Sequence, residues 1–238
     1  MMSGQRMPQL VIDEVILLVD TYFQLQEIND ISIKNELIDE LSKNMKKLPF
    51  FPDLRNGETF RSTDGMRMCL ANVGYIDPNN SSKFGHGSAL QRRVFEYYHD
   101  KKSVLRKVAS AIVLLAQEDI VLDPMFDDFI GGQIIASYHK HLEKTNKVVQ
   151  RVAKENIQTG QTTCGLRGCE LSKIYINAED LMEVHINIPI EDYAFPLEVY
   201  PASTILLCPT CHKLAHSDPK RYSIESVKER IKERTQHV

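Results

Sequence analysis

Two pairs of cysteines bracket a stretch in the last third of the chain, Cys164-Gly-Leu-Arg-Gly-Cys169 and Cys208-Pro-Thr-Cys211. Thiolates are soft ligands, and two such pairs can close a tetrahedral Zn2+ site with sulfur about 2.3 Å from the ion. The first pair encloses four residues where two are commoner, and Gly165 and Gly168 let its loop close. A closed thiolate site supplies folding energy rather than catalysis. The second pair runs straight into His212-Lys-Leu-Ala-His216, whose imidazoles lie at i and i+4 on one helix face. Upstream, Met182-Glu-Val-His185-Ile-Asn-Ile-Pro189 carries one further imidazole. Imidazoles that leave a coordination position open can hold a divalent cation able to polarise a phosphate. One short stretch thus has the ligands for an enclosed ion and for an open one.

Glu183-Val-His185 with Pro189, then Leu207-Cys-Pro-Thr-Cys-His-Lys-Leu-Ala-His216, resembles the HNH (ββα-metal) endonuclease module in the zinc-stapled form of McrA-like restriction nucleases. That family reads roughly E-V-H-H-I-x-P-L, followed by N-L-x-x-L-C-P-N-C-H-x-x-x-H. Residues 55–78 are similar to an upstream family segment, with Phe60, Arg61, Gly65, Leu70, Asn72, Asp77 and Pro78 on its positions. His139 and Glu143 fall on a family H-x3-E-R, where Lys144 replaces the Arg and Gly131 an upstream Glu.

The resemblance implies a β-hairpin followed by a helix and an activity that hydrolyses DNA phosphodiester bonds, of restriction or phage-defence type. It implies structural Zn2+ at Cys164, Cys169, Cys208 and Cys211, and a catalytic divalent metal such as Mg2+, Mn2+ or Ni2+ at His185, His212 and His216. His212 serves alternatively as a group that orients a ligand or the phosphate. Ser203 stands where the family has its middle Asn and is the remaining catalytic candidate. The family's general-base His corresponds to Ile186, which cannot accept a proton. A one-residue slip of the hairpin would put His185 in that base position instead, since a slip exchanges strand faces. A different class of function stays open beside the nuclease: a degraded HNH-fold protein that binds DNA or a partner protein without cleaving.

The elements that must position these residues are mostly helices. Val11, Val15, Leu18, Tyr22 and Leu25 recur at helical steps, as do Ile33, Leu37, Leu41 and Met45 with Ser32 as cap. A helix is expected from about 65 to 73, another on Val104, Val108, Ile112 and Leu115 capped by Ser103, and a long one from 126 to about 156. After Asp218-Pro219, a charged terminal helix packs Ile224, Val227 and Ile231 inward. The fold class expected is mainly α with a small C-terminal ββα-metal module, α+β overall. A helical domain over 1–157 reads or positions DNA, and a zinc-stapled module occupies 158–238.

With 238 residues, 42% hydrophobic and 26% charged, the composition is that of an ordinary soluble globular protein. The net charge of −3 gives no global basic field for nucleic acid. Positive charge collects locally: residues 83–107 hold seven Lys/Arg against Glu96 and Asp100, interleaved with Phe84, Phe95, Tyr97 and Tyr98. With the Gly85-His86-Gly87 loop, which is expected to be flexible, such a surface can touch phosphates and stack on a base. Arg61, Lys83, Arg92 and Arg93 are the candidate DNA contacts. Five cysteines, four of them in the metal-like pattern, fit a reducing cytoplasm better than a disulfide framework. The apolar run 10–23 is broken by Asp13, Glu14 and Asp20 and is neither a signal h-region nor a membrane span.

Overall fold

The structure, a computed structural model, describes residues 7–80, 85–118, 121–122, 131–189, 197–217, 224–225 and 227–229. The chain divides into two compact units, Met1–Ser137 and Tyr138–Val238. The expected boundary at 157 falls inside a helix that packs on the strand carrying His185, so that helix belongs to the second unit. None of the helices among the described residues is long and apolar enough to cross a membrane.

The first unit is built around α1 (Ile12–Glu27), buried without interruption from Ile12 to Phe23. Around it pack α2 (Ile31–Lys47), α3 (Thr63–Ile76), α4 (Ala89–Tyr98) and α5 (Lys102–Leu115). A helix covered on every side needs apolar residues all round, and Val15, Ile16, Leu18 and Val19 provide them. The cap of α2 is Asp30 rather than Ser32: its carboxylate accepts from the backbone N–H of Ser32 and Ile33. Similarly α5 starts beside Lys101, without a side-chain cap from Ser103. The expected helix near 65–73 extends from Thr63 to Ile76, because the Ser62 hydroxyl caps it through the Gly65 N–H. The long helix expected from 126 is, over the described residues, two: α6 (Gln133–Thr145) and α7 (Lys147–Thr159). Asn146 breaks them apart by accepting from the Val148 N–H as the cap of α7.

The charges that interrupt the opening apolar run are buried, and each grips a different later segment. Glu14 forms a bidentate pair with Arg61, at 2.5 Å to Nε and 2.7 Å to Nη2. Asp20 takes Arg106 at 2.9 Å and Gln24 at 2.7 Å. Asp13 takes backbone N–H groups of Gln133 and Ile134. Burial raises all three carboxyls, Asp13 to about 6.

Arg61, one of the candidate DNA contacts, is engaged inside the first unit. It is 6% exposed, and its guanidinium is also satisfied by the carbonyls of Pro8 and Gln9. Other residues of the 55–78 stretch have packing roles as well. Phe60 and Leu70 are buried, and Asp77 accepts from the Tyr22 hydroxyl at 2.9 Å. Arg92 and Arg93 do lie exposed on α4, while Lys83 and Phe84 fall outside the described residues. The interleaved aromatics are mostly unavailable for stacking on a base, since Phe95 and Tyr98 are core and Lys101 sits 4.5 Å over the Tyr97 ring. The Gly85–Gly87 loop is packed rather than loose: His86 N–H reaches Asn72, and a Cβ at Gly87 would lie 2.3 Å from Ile76.

In the second unit, β1 (Glu183–Ile186) pairs antiparallel with β2 (Thr204–Leu207), with His185 opposite Ile205 and Ile186 opposite Thr204. The helix α8 (Pro209–His216) follows at once. The hairpin is covered by a different cluster on each face. Val184 and Ile186 bury against Val149 of α7 and Val199, while Leu207 joins a cluster with the four-cysteine segment, Met182 and Ala215. Ile224 and Val227 pack into that second cluster as expected, and Ile231 lies outside the described residues.

Deleting one partner of a buried ion pair leaves the other charge uncompensated, which costs about 3–5 kcal/mol. Arg61→Ala is accordingly expected to lower the unfolding free energy of the first unit by about that much, read by chemical denaturation.

Candidate metal centres

The first cluster comprises Cys164, Cys169, Cys208 and Cys211, whose sulfurs lie within 4.8 Å of one another and could hold a metal such as zinc. All four are free thiols. The first pair sits on a tight turn. Cys164 N–H donates to the Cys169 carbonyl at 2.9 Å, Gly168 N–H donates back to Cys164, and Gly168 takes φ +64°. The Gly165 N–H ties this turn to Leu206 of β2 at 2.8 Å, and a Cβ at Gly165 would lie 2.7 Å from Ile205. The second pair starts α8: Cys208 precedes Pro209, which is pre-organised for a first helical position, and Cys211 lies in the first turn. Burial and the neighbouring sulfurs raise the Cys211 thiol. Cys164 is lowered, because backbone N–H groups of Cys208, Arg167 and Leu166 outweigh the burial that opposes its thiolate. Crowded sulfurs with one already favouring the thiolate are a metal-ligand arrangement.

The second cluster centres on Glu143 of α6. Its Oε1 lies 2.9 Å from His139 Nε2, 2.8 Å from His185 Nδ1 and 3.0 Å from the Ile186 backbone nitrogen. Its Oε2 lies 2.8 Å from His216 Nε2 and 3.1 Å from His212 Nε2, and those two nitrogens are 3.0 Å apart. One donor atom from each of His139, Glu143, His185 and His216 falls within 4.8 Å of all the others. Local structure explains the convergence. His139 and Glu143 are i and i+4 on α6, His212 and His216 are i and i+4 on α8, and alternation along β1 points His185 opposite to Val184 and Ile186.

As hydrogen bonding alone, this cluster is overfull. A carboxylate offers about four lone-pair sites, and four imidazole nitrogens plus one amide compete for them. A cation among the nitrogens resolves the crowding, because neutral imidazoles then present lone pairs instead of protons. The electrostatics favour that form at two positions. Burial lowers His139 to about 4 and also lowers His216, so both are neutral at neutral pH. Burial opposes the charge on Glu143, but the imidazoles of His139, His185 and His212 outweigh it and hold the carboxyl well below its usual range. Burial likewise opposes His212⁺, yet the hydrogen bonds its ring donates to the Glu143 and Glu183 carboxylates raise it. The Glu183 carboxylate contacts His212 Nδ1 and so fixes Nε2 as the atom facing the cluster.

Of the residues expected at an open metal site, His185, His212 and His216 are brought together. Ser203, the remaining catalytic candidate, is engaged within its own turn: its hydroxyl donates to the Tyr200 carbonyl and accepts the Tyr200 N–H. His139 and Glu143 are marked in the sequence by their likeness to a partial family segment and by their i,i+4 spacing, but nothing in it links α6 to a strand about forty residues away. In this register His185 faces the cluster and Ile186 the apolar side, so a histidine at 186 would enter the Val149–Val199 cluster and not the site.

No protein-family model matches the chain, and no curated protein or solved structure matches it either.

Two outcomes are expected here. Cys211→Ser should lower the zinc measured in the purified chain to near zero and unfold the second unit, read by metal analysis and circular dichroism. Ile186→His should destabilise the protein by about 1–3 kcal/mol, because it buries a polar ring among apolar neighbours; chemical denaturation reads it.

Proposed function

We propose that the chain is a metal-dependent DNA endonuclease of the HNH (ββα-metal) type, acting in restriction or phage defence. The observation that carries this reading is the convergence of His139, Glu143, His185 and His216 on one point at the junction of a β-hairpin and a helix. Zn2+ on Cys164, Cys169, Cys208 and Cys211 staples the hairpin to the helix, since a two-stranded hairpin with an eight-residue helix is too small a unit to hold its own geometry.

A divalent ion such as Mg2+, Mn2+ or Ni2+ held by these imidazoles and Glu143 supplies a Lewis acid for the scissile phosphate and the departing O3′. The residues of the chain do the rest. His139, His185, His212 and His216 bind, Glu143 balances the charge and fixes the ring orientations, and Glu183 orients His212. The exposed Arg92 and Arg93 of α4 provide phosphate contacts for DNA.

A second reading is favoured by Ile186 and Ser203. One is buried in an apolar cluster and the other is engaged within its own turn, so two of the family's reactive positions are vacated. On that reading the protein binds DNA or a protein partner without cutting.

The deciding assay uses supercoiled plasmid, unmodified and cytosine-methylated, with Mg2+, Mn2+, Ni2+ or EDTA. Metal-dependent nicking or linearisation that is absent from His216→Ala and Glu143→Gln is the expected result. Glu183→Gln should lose about 10–100-fold of activity or metal affinity, as for carboxylates that orient a ligating imidazole. A folded, zinc-loaded chain that cuts under none of the metals yet shifts DNA at low salt overturns the nuclease in favour of the binder.

A further inference from the structure

At the cap position of the helix that supplies His139 and Glu143 stands Gly132, after Gly131, so that position offers no side chain to accept from the first turn. The cap comes from far away in sequence. Asp13, at 0% exposure on α1, accepts the Gln133 N–H with Oδ2 at 2.8 Å and the Ile134 N–H with Oδ1 at 3.0 Å. The backbone is shaped to admit this carboxylate. Gly132 takes φ +91°, and a Cβ there would stand 2.6 Å from Asp13 Oδ1. The turn is then packed by Ile134, Ile135 and Ala136, all fully buried.

We propose that Asp13 is a positioning residue for the imidazole–carboxylate cluster, capping the first turn of α6 so that the helix stays formed into the turns that carry His139 and Glu143. This rests on the metal reading above and adds to it a residue that touches neither ion nor substrate. The geometry gives the reason. A helix rises 1.5 Å and turns 100° per residue, so from Ile134 to His139 there is little more than one turn, and Glu143 lies one turn beyond. A thirteen-residue helix is marginal without external support. Two backbone donors held by one carboxylate keep its first turn from fraying, and negative charge there also favours the helix dipole. Fraying of that turn would reach His139 before any other ligand.

The test uses the full chain with zinc in the thiolate site, titrated with Ni2+ by calorimetry, together with amide exchange along α6. Asp13→Ala is expected to weaken Ni2+ binding at the histidine cluster about ten-fold and to speed exchange from Ile135 to Glu143. The zinc content should not change. Asp13→Asn keeps one acceptor but sets its amide NH2 against the second backbone donor, and should restore only part of the affinity. Gly132→Ala, which leaves Asp13 in place but crowds its Oδ1, should reproduce the loss. Arg61→Lys weakens the same unit at a different buried pair and should lower the unfolding midpoint without altering Ni2+ affinity.

Unchanged Ni2+ affinity in folded Asp13→Ala overturns the proposal, and so does an equal loss in Arg61→Lys, which would make the effect one of general stability. A wild-type chain that takes up no ion beyond the thiolates removes the metal reading itself. The cap is then judged on exchange alone, and unchanged protection in Asp13→Ala or Gly132→Ala overturns it.

Discussion

A carboxylate cannot remain charged in an apolar interior unless something replaces the water it has lost. That constraint organises both units. In the first, three carboxylates of one buried helix each capture a different segment: Asp13 the start of α6, Glu14 the guanidinium of Arg61, and Asp20 that of Arg106. In the second, Glu143 gathers four imidazoles from two helices and a strand. Apolar packing decides that these helices associate, and the buried carboxylates decide in which register.

This also marks what was legible in the sequence. Periodicity is a local property, and it placed α1, α2 and α5 because their apolar residues recur at helical steps. The cysteine spacing was equally local, and the four sulfurs do come together. What escaped was pairing across long separations. Asp13, Glu14 and Asp20 read as breaks in an apolar run, whereas they are its anchors. Arg61 read as a surface cation because its partner lies 47 residues away on a helix with no spacing relation to it. His139 and Glu143 read as a partial motif for the same reason: the ring they approach belongs to a strand that only the fold brings near.

The hairpin shows how one register divides chemistry from packing. Adjacent residues of β1 face opposite sides, so His185 meets the carboxylate of Glu143 while the Ile186 side chain joins Val149 and Val199. Only the backbone N–H of Ile186 serves the cluster, by donating to Glu143 at 3.0 Å. The identity of residue 186 is thereby set by the apolar cluster, and its amide by the polar one.

The short helix α8 carries ligands of both clusters, with Cys208 and Cys211 at its start and His212 and His216 along the rest. Eight residues are too few to be helical on their own. On the two-metal reading proposed above, an ion taken by the thiols would order the helix and so lower the entropy that an ion at the imidazoles must still overcome. Linkage would make this reciprocal, each ion raising the affinity of the other by the same factor. The two sites would then load as a cooperative pair, and a chelator strong enough to strip one ion would weaken the hold on the other.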